Sequence, residues 1–204
     1  MKKYPLPIEI VKGRLPLVTQ EFGNHSNDAW YANNGINLGE TGHNGTDLII
    51  TGGWVATYGT KLVCPFPKAL LNKVWYTEPM STKGNGIQIQ CNDERGVIKM
   101  LIWHCSETNE QMEYNERDTL GFIGNSGLVS PKPYFANVHA GSHIHLMTYV
   151  NGVLVDPREI FDFNKWYVSE TDTSIEKDLP PFFHFLSYVR KTLEEISGKI
   201  SKRN

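Results

Sequence analysis

Alternation of apolar and polar positions governs the middle of the chain, and it predicts strands. In Ile87-Gln88-Ile89-Gln90-Cys91 every second side chain falls on one face, the period of a half-buried strand. A turn at Asn92-Asp93-Glu94-Arg95-Gly96 leads into Val97-Ile98-Lys99-Met100-Leu101-Ile102-Trp103-His104, an apolar strand that ends on a histidine. Residues 60–64, 71–76 and 119–124 read as further short strands, bounded by Pro, Gly or Asn. Residues 11–19 suggest a short strand or a strand pair. The run from Gly141 to Val150 stops at Asn151-Gly152, a two-residue hairpin signal, and residues 153–157 close the β region. Between these stand a long Gly/Asn/Asp-rich loop over 21–42, a polar loop or helical turn over 109–118, and an inserted loop with two prolines over 130–140. Many short strands without alternating helices predict a mainly β fold, an antiparallel sheet or sandwich-like domain.

The period changes near the end. After a polar linker that closes on Pro180-Pro181, Leu186, Val189, Leu193, Ile196 and Ile200 recur at three- and four-residue steps. That spacing predicts a C-terminal helix with one apolar face. Docking of that helix on its own domain is favoured over contact with a virion component or a second copy, because the stripe is short for a coiled coil. The chain thus divides into an extended segment (1–14), one domain (15–160) and an extension of linker and helix (161–204).

Composition removes some classes. The 204 residues carry a net charge of −2 and are 40% hydrophobic, which offers no basic stripe for nucleic acid. No apolar run is long enough to span a membrane, and no apolar core follows Lys2-Lys3 as a secretory signal would require. Cys64, Cys91 and Cys105 are odd in number and form no CxxC pair, so reduced thiols are expected.

The chemistry gathers on histidines. In Ser142-His143-Ile144-His145 two imidazoles stand two residues apart on a strand and look into one space. His43-Asn44-Gly45-Thr46-Asp47 sets a His and an Asp at a turn that feeds a strand, and His104 ends another. Each alone is as well explained by a solvated face, a turn or a core edge. Together they supply what catalytic zinc requires: three N/O ligands, an open position for water, and nearby bases for proton transfer.

These motifs resemble those of the lysostaphin-type (LytM-like) zinc metallopeptidases. The flanks agree with the resemblance: Gln20-Glu21-Phe22-Gly23, Tyr58-Gly59-Thr60-Lys61-Leu62, Gly84-Asn85-Gly86-Ile87, Gly121-Phe122-Ile123-Gly124-Asn125-Ser126-Gly127 and Gly152-Val153-Leu154-Val155-Asp156-Pro157. The resemblance covers residues 15–160. It implies zinc held by His43, Asp47 and His145, with His104 and His143 as the two catalytic histidines, one a base and the other, if protonated, an oxyanion partner. His143 is favoured as the base because it shares a strand with a ligand. The resemblance also implies hydrolysis of peptide bonds in bacterial peptidoglycan, in cross-bridge or stem peptide. Without a signal, a bacteriophage lysin or a virion-associated enzyme acting on the wall after lysis is the expected setting. The chain departs from the family at Ser142, where proline is usual, and at Met147-Thr148-Tyr149, which lacks the usual glutamate. His139, in the inserted loop, is a weaker rival as ligand or base, and His25 and His184 match no motif. Two other readings compete. A non-catalytic LytM-like binding or regulatory module would not need five such residues. A cupin-type metal protein would need a glutamate shortly after the pair, and residues 147–152 hold none.

Overall fold

Alternation sorts the strand residues onto two faces, one buried in the main core and the other floored by a cleft. The computed structural model describes residues 1–76, 83–133 and 136–169. Its strands in chain order are β1 (Tyr4–Pro5), β2 (Ile8–Val11), β3 (Pro16–Gln20), β4 (Thr46–Ile50), β5 (Lys61–Val63), β6 (Lys68–Trp75) and β7 (Asn85–Asp93). There follow β8 (Gly96–Thr108), β9 (Glu113–Asn115), β10 (Thr119–Ile123), β11 (Ile144–Val150), β12 (Val153–Val155), β13 (Phe161–Asp162) and β14 (Tyr167–Ser169). Three short α-helices, α1 (Asp28–Asn33), α2 (Trp54–Thr57) and α3 (Pro157–Ile160), and one 3-10 turn at Gly39–Thr41 interrupt them. None of the helices described is long and apolar enough to cross a membrane.

The main sheet runs β14-β2-β5-β10-β8-β11-β4-β3, with β7 also on β8, β6 on β7, β9 on β6 and β12 on β11. Its pairs are antiparallel except β14–β2, and β1–β13 form a separate parallel pair. The mainly β architecture read from the alternation is therefore the observed one. β8 is its axis. Ile98, Met100 and Ile102 enter the main core beside Ile87 and Ile89 of β7 and Ile144 and Leu146 of β11. Leu101 and Trp103 point the other way and join Met147 in a second cluster.

The Asn151-Gly152 hairpin forms between Val150 and Val153. Both turn residues have positive φ, 52° and 84°, the type I′ geometry that matches strand twist. Asp156 caps α3, its carboxylate accepting from the Arg158 amide at 2.8 Å, with Pro157 in the first turn.

Three places differ from the pattern read in the sequence. Residues 113–115 are a strand, β9, because Tyr114 is fully buried and its hydroxyl donates to the Asn109 carbonyl. The long loop over 21–42 holds α1, and α2 interrupts a span that reads as strands and turns. The C-terminal amphipathic helix, its linker and His184 lie outside the described residues.

Candidate metal centre

Register brings the site together. Gln20 of β3 pairs with Asp47 of β4, Asp47 with His145 of β11, and His145 with Trp103 of β8. Cross-strand partners share a face, so the Asp47 and His145 side chains meet without any loop having to carry them. His43 precedes β4 at the turn; its Nδ1–H donates to the Glu21 carbonyl at 3.2 Å, which leaves the Nε2 lone pair facing inward. His43 Nε2 then lies 3.1 Å from His145 Nδ1, and Asp47 Oδ1 lies 2.8 Å from His145 Nδ1 and 3.4 Å from His43 Nε2. Three electron-pair donors crowd to one point in this way only around a shared proton or a cation. Among the described residues this His/Asp/His set is the one group of histidine, cysteine and acidic side chains able to hold a metal ion. A donor set of two imidazoles and one carboxylate suits zinc and leaves a coordination position free.

The two remaining histidines approach from the other side. His143 Nε2 is 3.8 Å from Asp47 Oδ2, so the two histidines of the His-x-His pair address the two oxygens of one carboxylate. Its Nδ1–H donates to the Gly141 carbonyl at 2.7 Å. The His104 ring lies 4.5 Å from that of His143 and 6.1 Å from that of His145. Its Nδ1–H donates to the Ser126 carbonyl at 2.7 Å. Both rings therefore offer Nε2 as the atom that can take a proton.

His104 reaches this side through a bulge. Strict alternation would turn it with Ile102 into the main core. Instead Asn85 pairs with Cys105 and Gly86 with Trp103, so His104 is the extra residue, and its φ is 65°. There β8 also exchanges partners, from β11 up to Trp103 to β10 from Cys105 onward. The bulge places two consecutive side chains, Trp103 and His104, on the cleft side.

Charge follows burial and contact. Burial works to raise the Asp47 carboxyl, but the adjacent His143 and the hydrogen bonds of His145 and His43 outweigh it and hold it well below the usual range. Burial, with His143 and His145 close by, pushes the His104 imidazole down to about 3, and burial also lowers that of His145. Neutral imidazoles are the form that binds metal and accepts protons.

The cleft above these residues encloses about 550 Å³. Gly45 keeps it in shape, since a Cβ there would come within 2.7 Å of His145 Nε2 and of the Leu146 carbonyl oxygen. Gly45→Ala is therefore expected to displace the His145 ring and weaken metal binding by the candidate site roughly 10- to 100-fold, the scale of a disturbed supporting contact. Competition with a fluorescent chelator checks this.

Of the other histidines, His139 packs on Tyr58 with ring centroids 4.4 Å apart and is not part of the ligand group. His25 pairs with Asp28 at 2.7 Å on the surface. The departures at Ser142 and Thr148 are absorbed locally, their hydroxyls donating to the carbonyls of His139 (2.6 Å) and Val155 (3.0 Å). The groups around the candidate ligands carry no mark in the sequence. Tyr31 stacks on His43 at 6.1 Å, and Gln20 Oε1 accepts from the Tyr31 hydroxyl and the Asn27 amide. Nothing in local spacing marks them, because α1 brings two of them from within a loop.

No family model matches the sequence, and no curated protein matches it. Solved structures do. A zinc-containing peptidase from Vibrio cholerae matches at a TM-score of 0.50 and 17% identity, over 88% of this chain and 41% of its own length. This chain thus spans about two fifths of that peptidase. A chain of the SpoIIQ–SpoIIIAH pore-forming complex matches at 0.51 and 16% identity, over 88% and 99% of the two chains. The catalytic domain of the antimicrobial peptidase lysostaphin from Staphylococcus simulans matches at 0.44 and 15% identity, over 70% and 90%. With its curled sheet and its short interrupting helices, the chain shares its fold with the zinc-containing Vibrio cholerae peptidase and the chain of the pore-forming complex.

Proposed function

We propose that the chain is a zinc-dependent endopeptidase that hydrolyses peptide bonds of bacterial peptidoglycan. The observation that carries the reading is the convergence of five polar residues from three separate parts of the chain: His43, Asp47 and His145 as ligands, His104 and His143 beside them. Fold alone does not decide between an enzyme and a binding module, since one match is a peptidase and another belongs to a pore-forming complex. A binding module has no use for three convergent ligand atoms flanked by two further imidazoles, so the complete set favours hydrolysis.

His43, Asp47 and His145 would hold the zinc, which when bound would supply a water acidified toward neutrality and polarisation of the scissile carbonyl. His143 is the base in this reading. It accepts the water proton at Nε2, and the imidazolium so formed stands 3.8 Å from Asp47 Oδ2, which steadies it. The same Nε2–H can then protonate the leaving amine. His104, buried and facing two other imidazoles, stays neutral, so it serves as a hydrogen-bond acceptor that orients the attacking water rather than as a cation for the oxyanion.

Elemental analysis run beside a turbidity assay on purified peptidoglycan tests the proposal. About one zinc per chain, as a three-ligand site holds, with clearing abolished by chelator and restored by zinc, is the expected result. Protein never exposed to chelator that contains no zinc and clears nothing would return the chain to the binding-module class.

A further inference from the structure

The register row that builds the metal centre does not stop at it. Past His145 and Trp103 it continues through Gly86 of β7 to Trp75 of β6. Gly86 has no side chain, and a Cβ there would run into the Trp103 ring. Across that gap Trp75 and Trp103 meet, with centroids 4.7 Å apart and planes tilted 52°. Each indole carries a lysine: Lys83 Nζ lies 5.6 Å from the Trp103 ring and Lys73 Nζ 4.9 Å from the Trp75 ring. Both lysines are exposed, and neither has a carboxylate partner among the described residues. Among the described residues, Asp47, committed to the metal centre, is the one carboxylate in the lining of the cleft, and Lys83 its one lysine or arginine.

Two ammonium groups held over a tilted indole pair, beside a cleft whose one described carboxylate is already engaged, make a receptor for an anion on an apolar stem. Resting on the peptidase reading above, we infer that Trp75, Trp103, Lys73 and Lys83 form a substrate subsite for a peptide residue bearing a free carboxylate. Adjacent strands stand about 4.8 Å apart, so Trp103 is one strand from His145 and Trp75 is three. An extended peptide advances about 3.3 Å per residue. The carboxylate therefore sits roughly one to four residues from the scissile bond, on the β6 side. The wall substrate this fits is an acidic stem peptide; a cross-bridge of glycine alone offers the platform nothing.

The test uses the full chain and two synthetic stem peptides, one with D-isoglutamate and its free carboxylate, the other with D-isoglutamine in its place. Cleavage of both is followed, as is equilibrium binding of both to chelator-treated protein. The carboxylate peptide is expected to lead by roughly five- to tenfold in kcat/KM, what two exposed ion pairs supply, with the lead shrinking at high salt. Lys83→Gln with Lys73→Gln is expected to erase the lead through KM, and Lys83→Glu to reverse it. Equal cleavage of both peptides overturns the subsite and leaves the peptidase reading standing. Selective binding of the carboxylate peptide without cleavage of either upholds the subsite and removes the peptidase reading. Binding of neither overturns the subsite.

Discussion

His145→Ala is expected to give a folded protein that carries no zinc and does not clear peptidoglycan. His145 is the hinge of the site: its Nδ1 lies 2.8 Å from Asp47 Oδ1 and 3.1 Å from His43 Nε2, and no other described side chain takes its place. Removing the ring leaves two ligands, and catalytic zinc is ordinarily held by three. The fold should survive, because the strand is fixed by backbone pairing to β4 and β8 and by Ile144 and Leu146 in the main core. A loss of at least about 10³-fold is expected, a fraction of the roughly 10⁶-fold or greater acceleration typical of enzymes. Elemental analysis, circular dichroism and the clearing assay on one preparation check all three parts. Zinc retained at the wild-type ratio would take His145 out of the ligand set and leave the assignment to be redrawn.

Much of this site is legible in the sequence because two of its three candidate ligands, Asp47 and His145, stand on strands. His143 and His145 are two apart at the start of a strand, and period-two geometry alone puts them on one side, where both address Asp47. Asp47 follows a turn directly into β4. What is not legible follows from breaks in that regularity. Alternation along Val97 to His104 sends His104 into the core with Ile102, and only the register skip opposite Asn85 and Gly86 brings it out. A bulge of one residue leaves no mark in the order of apolar and polar positions. The Trp75–Trp103 platform is hidden for a different reason. It depends on Gly86 standing between the two rings on a strand whose own sequence, Asn85-Gly86-Ile87, reads as a turn entering a strand. Likewise β9 reads as a polar loop, since one buried tyrosine between Glu113 and Asn115 gives no period to detect.

His143→Ala separates chemistry from metal binding. His143 is not part of the His43/Asp47/His145 group, and its Nε2 stands 3.8 Å from the second Asp47 oxygen, close enough to be held by its charge. The variant is therefore expected to keep zinc at the wild-type ratio while kcat falls about 10²- to 10⁴-fold, the usual contribution of a positioned base. KM should change little, because the ring's work is proton transfer and not ground-state binding. His104→Ala provides the contrast. A buried, neutral acceptor that only orients water should cost less, and a larger loss there than in His143→Ala would exchange the two roles. Loss of zinc from His143→Ala would be more damaging, since it would make His143 a ligand. Zinc content and kcat measured together on the two variants therefore assign the base, because proton transfer and metal retention are the two quantities on which the histidines differ.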